Sequence, residues 1–357
     1  MSRNFPHLPG ILTTADLART ADSIQALQLS NGMIPWYPGG HCDPWNHVET
    51  AIALDTMGRH DAALAAYRWL ANNQDSTGWW FNYYMPDGSI EDAKLDTNVN
   101  AYVAVGVWAH WLCTRDTAAV SALWPTVRSA LDWVMGMQRA DGAIVWAREI
   151  DSKPWDYALL TGCSSIRHAL HCGAALGDLL GDPHPEWTAA ADAIDRLVLT
   201  DLAAFEPKER WAMDWYYPVL TGAMTGVRAK ARLAEFWDTF VLEDRGVRCV
   251  HDEMWVTAAE TSECAIAHCA AGDRETASEL LLWTMPHRRD DGSYWTGIVY
   301  PSEPDKTMVH FPADEYSAYT AAAVIMAADA ISGGSPAATL FTRPIPRRNA
   351  HLQVAPL

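Results

Sequence analysis

Apolar residues recur every three or four positions along most of the chain, which is the spacing of one face of an α-helix. In His60–Asn72, for example, alanine, leucine, tyrosine and tryptophan fall on one side of a helix. The same spacing predicts helices over Thr97–Cys113, Ala118–Met137, Ala158–Leu180, Trp187–Leu202, Leu220–Leu242, Thr257–Ala271, Arg274–Thr284 and Asp314–Ile331. Strand-like alternation is confined to Gly142–Trp146 and Ser293–Tyr300. The pattern therefore predicts an all-α protein.

A first internal repeat consists of a long side chain, three residues and a glycine, with a tryptophan soon after. Its four copies are Gln28–Gly32 with Trp36, Gln74–Gly78 with Trp80, Gln138–Gly142 with Trp146 and Arg288–Gly292 with Trp295. Each copy follows one predicted helix and precedes another. Because glycine is favoured just past a helix C-terminus, we expect each glycine to end its helix and each tryptophan to cap the junction.

A second repeat has a tryptophan, five residues, a threonine and a small residue. It begins at Trp155, Trp215 and Trp255, with a looser copy at Trp45. Together the two repeats predict six inner helices, beginning near Pro44, Leu95, Tyr157, Tyr216, Val256 and Ala313. Six helical hairpins close into an (α/α)6 toroid, which buries the inner helices against one another. We expect one catalytic domain over residues 1–332, followed by a proline-rich tail over 333–357.

The charge balance limits the classes of partner. The chain of 357 residues has 26 basic and 44 acidic side chains, a formal net charge of −18. Such a charge repels nucleic acid and anionic membranes, and no uninterrupted apolar run is long enough to span a bilayer. There are seven cysteines without a C-x-x-C pair, and no secretory signal is visible at the N-terminus. We therefore expect a cytoplasmic protein with reduced thiols, and its oligomeric state stays open.

Acidic and aromatic residues gather where the inner helices begin, and these N-termini meet at one end of a toroid. Helix capping also explains such acids, and it is the preferred interpretation of Asp96 and Asp314. The 18 tryptophans and 12 tyrosines offer apolar faces with polar edges, which suit sugar rings, although most of the tryptophans are expected to fill the core. The combination favours a carbohydrate cleft and an oligo- or polysaccharide partner.

Glycoside hydrolysis requires two carboxyl groups on either side of the scissile bond. Glu260 is one candidate, because Leu160 and Leu220 hold the same position in the sister repeats. Asp43, between His41 and Trp45, is the other, with Glu49 as a weaker rival. The candidate substrate-binding residues are His41, Trp45, Asp96, Trp155, Asp156, Asp214, Trp215, Tyr216, Glu253, Trp255, Glu263 and Tyr316.

No cofactor or metal is expected. His168 and His171 lie near Cys163 and Cys172, but their spacing is not specific to a metal site, and core histidines explain it better. Signatures of nucleotide binding and of serine or zinc hydrolases are absent.

The runs Leu123–Trp146, Trp155–Asp182 and Asp96–Leu112, with the helix around Glu260, resemble the six-hairpin glycosidases over about residues 15–332. That resemblance implies an (α/α)6 barrel and a two-carboxylate, inverting mechanism. Within the family the chain is similar to the actinobacterial hydrolases of methylated mannose polysaccharides. This similarity implies cleavage of internal α-mannosidic bonds, α-1,4 in the expected case, in an intracellular polymer, with Asp43 and Glu260 as the acid and base.

Two alternatives remain from the sequence. Gln74–Trp80 also fits the Q-x-x-x-G-x-W repeat of terpene-cyclase-like toroids, to which prenyltransferases are related in architecture. The D-x-D-D and D-D-x-x-D motifs that those enzymes need are missing. The other alternative is a sugar-binding protein without catalytic activity, which an assay of oligomannoside hydrolysis would distinguish from an enzyme.

Overall fold

The computed structural model describes residues 5–301 and 307–346. Within them the helices are α1 (Thr14–Leu27), α2 (Pro44–Thr56), α3 (His60–Asn73), α4 (Thr97–Ala101), α5 (Val103–Thr114), α6 (Thr117–Met135), α7 (Leu160–Leu180), α8 (Pro185–Thr200), α9 (Ala212–Leu220), α10 (Gly226–Glu235), α11 (Trp237–Phe240), α12 (Ala258–Ala270), α13 (Arg274–Trp283) and α14 (Ala318–Ser332). Short 3₁₀ turns cover Leu202–Ala204 and Met285–His287.

The strands are short and lie in the loops between helices. They are β1 (Tyr83–Tyr84), β2 (Ile90–Asp92), β3 (Leu95–Asp96), β4 (Ala147–Arg148), β5 (Val241–Leu242), β6 (Gly246–Val247), β7 (Trp255–Thr257), β8 (Gly297–Val299) and β9 (Val309–His310). They form three antiparallel pairs, β1–β2, β3–β4 and β5–β6, and one antiparallel sheet in the order β7–β8–β9. Strands β3 and β7 lead directly into α4 and α12, so they fix where these helices begin.

The helices form two concentric rings. The inner ring runs through α2, α4–α5, α7, α9, α12 and α14, and it closes because α14 packs against α2. The outer ring consists of α1, α3, α6, α8, α10–α11 and α13. Inner helices such as α14 are buried on nearly all sides, whereas an outer helix such as α3 buries one stripe. The prediction of an all-α (α/α)6 toroid is confirmed.

The glycines of the first repeat do not end their helices, and that expectation is wrong. Helix α3 ends at Asn73 with Gln74 as its cap, and Gly78 lies four residues later in a tight turn with φ +104°. A Cβ at this position would overlap the carbonyl oxygen of Ser129 in α6, the next outer helix. The Gln74 side-chain amide donates to the carbonyl of Thr126 in the same helix, at 3.0 Å. The motif therefore joins neighbouring outer helices.

The other three copies pack in the same way. Gly32 touches α3, Gly142 touches α8 and Gly292 touches α1, each with a positive φ. Because the copy that follows α13 packs onto α1, the outer ring is also closed by this contact. No copy follows α8 or α11 in the sequence.

The described part of the proposed tail packs on the body of the toroid. Leu340 is buried, and the Phe341 ring stacks on His168 with ring centroids 5.0 Å apart. Residues 347–357 of the predicted tail lie outside the described residues.

All seven cysteines, each within the described ranges, are free thiols. Among the helices that the structure describes, none combines the length and the apolar character that a membrane crossing needs.

Candidate active site

A cavity of about 300 Å³ opens at the end of the toroid where α2, α4 and α12 begin. Its walls carry five carboxyl groups and one ammonium group. Its lining consists of Trp36, Asp43, Trp45, Asn46, Glu49, Asn82, Tyr83, Lys94, Asp96, Asn98, Val99, Met213, Ala259, Glu260, Glu263 and Tyr319. The excess of acids disfavours phosphates and other anions, so the cavity suits a neutral or cationic ligand.

Asp43 is the N-cap of α2 and is almost fully buried. Its Oδ1 accepts the backbone N–H of Asn46, and its Oδ2 accepts the Trp36 indole N–H and the Asn46 side-chain amide. Burial raises the pKa of this carboxyl, while the donors from Asn46 and Trp36 act against that shift. The three donors orient Asp43 and favour its ionised form.

Asp96 repeats this arrangement at the start of α4. It caps the backbone N–H groups of Asn98 and Val99, and the Trp146 indole donates to its Oδ2. Burial raises the pKa of Asp96, and the Lys94 ammonium, 3.8 Å from Oδ2, acts in the opposite direction. Trp36 and Trp146 are two of the four tryptophans of the first repeat. Two copies of that repeat therefore supply an indole donor to a capping aspartate. Asp96 thus combines the expected capping role with a place in the cavity.

Glu260 lines the same cavity from the first turn of α12, which packs on the other side of α14 from α2. The hydroxyl of Thr257, the N-cap residue of this helix, donates to Glu260 Oε2. Glu260 is partly exposed, whereas Glu263 on the same helix is buried. Glu260 is therefore the acid of this helix that a ligand reaches first.

Glu49 and Glu263 form a buried pair of acids at the bottom of the cavity. Glu49 Oε1 accepts the indole N–H of Trp45 and the hydroxyl of Tyr102, while the Tyr216 hydroxyl donates to Glu263. Burial, followed by the charges of neighbouring acids, raises the pKa of Glu49 to about 7 and that of Glu263 well above its usual range. In the folded protein both groups therefore keep their protons to a higher pH than exposed glutamates do.

No protein-family model matches the chain. The chain is 43% identical over 336 residues to the MMP endo-(1,4)-3-O-methyl-alpha-D-mannosidase of Mycolicibacterium hassiacum, a match that covers 94% of this chain and 91% of that protein. The chain belongs to this mannosidase family. It is a glycoside hydrolase, and the predicted resemblance is confirmed, as is the choice of a hydrolase over a terpene-cyclase-like toroid.

Solved structures share the fold of this hydrolase. A wild-type glycosidase superposes with a TM-score of 0.66 at 14% identity, covering 91% of this chain and 100% of its own. A D-mannose isomerase superposes with a TM-score of 0.66 at 10% identity, covering 89% of this chain and 96% of its own. At these identities the likeness concerns the fold alone.

Five residues of the sequence-predicted site meet in the cavity of the hydrolase. They are Asp43, Trp45, Asp96, Glu260 and Glu263. Two others support it from behind: His41 stacks on Tyr83 at 4.3 Å, and Tyr216 is fully buried on Glu263. Trp155 packs edge-on against Trp146, the donor to Asp96.

The remaining predicted substrate-binding residues do not line the cavity. Trp215 is 1% exposed and donates its indole N–H to the backbone of Arg232, because it faces α10 and the core. Asp214 accepts the Thr161 hydroxyl, Trp255 donates to the Phe311 carbonyl, and Tyr316 packs against Arg289. The side chains of Asp156 and Glu253 are exposed outside the cavity.

A positional rule connects the residues that sequence reasoning missed. The second, third and sixth residues of α2 are Trp45, Asn46 and Glu49, and all three line the cavity. The same positions of α12 are Ala259, Glu260 and Glu263, and the second residues of α9, α4 and α14 are Met213, Asn98 and Tyr319. Residues three and four apart share one helix face. Counting from each helix start would have identified Asn46, Asn98, Met213 and Tyr319.

Within the residues that the structure describes, no group of three His, Cys, Asp or Glu side chains is arranged to hold a metal ion. His168 is buried against Phe341, and burial lowers its pKa to about 3.

The raised pKa of Glu49 has a measurable effect on stability. Since the folded state holds this proton up to about pH 7 and the unfolded state only to about pH 4.5, the free energy of unfolding falls as the pH rises between these values. We expect Glu49→Gln to flatten this decline and to raise stability at pH 8 by about 1–3 kcal/mol. Urea unfolding at pH 5 and pH 8 measures the effect. The exposed Glu253→Gln serves as control, and an equal change in both variants would contradict the assignment.

Proposed function

We propose that the enzyme hydrolyses internal α-1,4 bonds of a methylated mannose polysaccharide with inversion at the anomeric carbon. The observation that carries the mechanism is a single cavity with carboxyl groups at the starts of three inner helices, Asp43 at α2, Asp96 at α4 and Glu260 at α12. The 43% identical mannosidase of Mycolicibacterium hassiacum supports the substrate.

Asp43 serves as the general base in this proposal. Its three hydrogen-bond donors favour the carboxylate, which can accept a proton from a water molecule as the water attacks the sugar. The raised pKa of the buried carboxyl makes it a stronger base than an exposed aspartate. Trp36 and Asn46 hold its orientation, so the attacking water is positioned before the reaction.

Glu260 serves as the general acid that protonates the departing glycosidic oxygen. It lines the same cavity as Asp43 from a different helix, and its partial exposure gives the leaving sugar access to the carboxyl. The hydroxyl of Thr257 fixes the position of Oε2. In an inverting enzyme these two groups act on opposite faces of the sugar, one on water and one on the leaving group.

The apolar part of the lining suits methyl ethers. A 3-O-methyl group removes a hydroxyl donor from the sugar and adds a small apolar surface. Val99, Met213 and Ala259 present side chains of that character beside the carboxyl groups. Trp45 stacks on Tyr102 at 5.0 Å, which holds its ring in place to pack against a sugar face.

The free thiols and the charge of −18 support a cytoplasmic enzyme whose partner is a polysaccharide rather than nucleic acid or a membrane surface. Its oligomeric state does not enter the mechanism.

The stereochemistry of the first product tests the mechanism. Hydrolysis of an α-1,4-linked 3-O-methylmannose oligosaccharide, followed by proton NMR within the first minutes, should show the β-anomer before mutarotation. Product sizes should reveal cleavage at internal bonds. An α-configured first product would show retention and would exclude Asp43 as a base acting on water. Hydrolysis of an unmethylated α-1,4-mannoside at the same kcat/KM would exclude recognition of the methyl ethers.

A further inference from the structure

A second cavity, of about 660 Å³, lies on the outer wall of the toroid between α10–α11 and α13. We call it the outer groove and define it by Lys230, Trp237, Asp238, Glu243, Glu279 and Trp283. Its volume is about twice that of the active-site cavity. A groove of this size is within the range of sites that bind small molecules.

The groove lies where the first repeat is missing. The glycine turns after α1, α3, α6 and α13 each wedge onto the next outer helix. No such turn follows α11, so no wedge draws α10–α11 and α13 together. The gap is therefore a consequence of the sequence, which departs from its own repeat at this position.

The groove combines aromatic surface with exposed charged groups. Trp237 and Trp283 are partly exposed, one on each side of the gap. The side chains of Lys230, Asp238, Glu243 and Glu279 have no hydrogen-bond or ion-pair partner among the described residues.

The floor of the groove carries a further polar group, which is buried. His268 is 6% exposed, and its Nε2 has no hydrogen-bond partner, although Nδ1 lies 3.3 Å from the Asp273 carboxylate. Indole rings with hydrogen-bonding groups around them match the apolar faces and polar rims of neutral sugars. With three unpaired carboxylates and one ammonium on the walls, an anionic ligand would be repelled.

We propose that the outer groove is a second carbohydrate-binding site, which holds another part of the polysaccharide while the active site cleaves. This inference rests on the proposed function for the identity of the sugar. Glu260 is near one end of α12 and Ala271 follows the other, so the two sites are separated by roughly 16 Å along that helix. Binding at the groove raises the effective concentration of polymer at the active site and does not affect short substrates.

Trp283→Ala and Trp237→Ala test the proposal in steady-state kinetics. For the polysaccharide we expect KM to rise by about 2–10-fold in each variant, as for the loss of one aromatic contact, with kcat unchanged. For a short oligosaccharide that fills only the active site, both constants should stay at their original values. Trp111→Ala is the matched control, because Trp111 is another partly exposed tryptophan and lines neither cavity. Asp238→Asn combined with Glu279→Gln perturbs the groove without removing core packing.

Calorimetric titration separates this inference from the proposed function. In the Asp43→Asn background, which keeps the groove intact, the polysaccharide should bind at two classes of site, and Trp283→Ala should remove one. An unchanged polymer KM together with a single class of site would overturn the proposal. A groove that binds the cation tetramethylammonium but no sugar would overturn it as well. A failure of the proposed function would instead be seen as a lack of hydrolysis of the short oligosaccharide by the original enzyme.

Discussion

Replacing Asp43 by asparagine should lower kcat by about 10²–10⁴-fold, the contribution that a positioned acid or base commonly makes. The amide has nearly the same size but cannot take a proton from water. Glu260→Gln should have an effect of the same order, because the amide cannot deliver a proton to the leaving oxygen. Initial rates of reducing-end release across pH 4–9 measure both effects.

The double variant should be little worse than the poorer single variant, because residues that act as one unit do not contribute additively. Asp156→Asn is the control. Asp156 is an exposed aspartate of a sister repeat and does not line the cavity, so the variant should keep the activity of the original enzyme. Full activity in either single variant would move the role to Asp96, Glu49 or Glu263, which line the same cavity.

Gly78→Ala should destabilise the fold by about 2–5 kcal/mol. Alanine at φ +104° is strained, and its Cβ would overlap the Ser129 carbonyl oxygen, so α3 and α6 would have to separate. Urea unfolding followed by circular dichroism gives the change in the free energy of unfolding.

Gly88→Ala is the matched control for this prediction. Gly88 also has a positive φ, +86°, but nothing lies within 4 Å of an added Cβ. Its substitution should therefore cost only the backbone strain, about 1–2 kcal/mol. Equal losses in the two variants would show that the packing between outer helices contributes nothing at Gly78.

The glycine motif illustrates where sequence reasoning about the fold was incomplete. Four copies sufficed to predict a repeated hairpin, since each lies between two apolar periodic segments. The interpretation as a helix end was local, because helix capping is the commonest reason for glycine after a helix. The contact that requires glycine is with a helix about 50 residues further on, as between Gly78 and Ser129, and no local pattern contains that information.

The sequence marked both residues of the proposed catalytic pair, but it did not assign the acid and the base between them. Glu260 was marked because it is an acid where the sister repeats have leucine, and Asp43 because it lies between His41 and Trp45 where the first inner helix begins. The burial that raises the pKa values of Glu49 and Glu263 arises only when the inner helices, α2 and α12 among them, assemble around one cavity. Because desolvation depends on every neighbouring atom, spacing along the chain does not predict it.

By itself, the sequence determined the all-α class, the six hairpins and the end of the toroid that holds the acids, because these follow from periodicity and repetition. Only the tertiary structure decided which aromatic side chains line the active-site cavity. Trp45 and Trp215 share one sequence frame, yet Trp45 is the second residue of its helix and Trp215 the fourth. Each residue turns the side chain by about 100°, so two positions direct them to opposite sides. Trp45 lines the cavity for this reason, and Trp215 packs in the core.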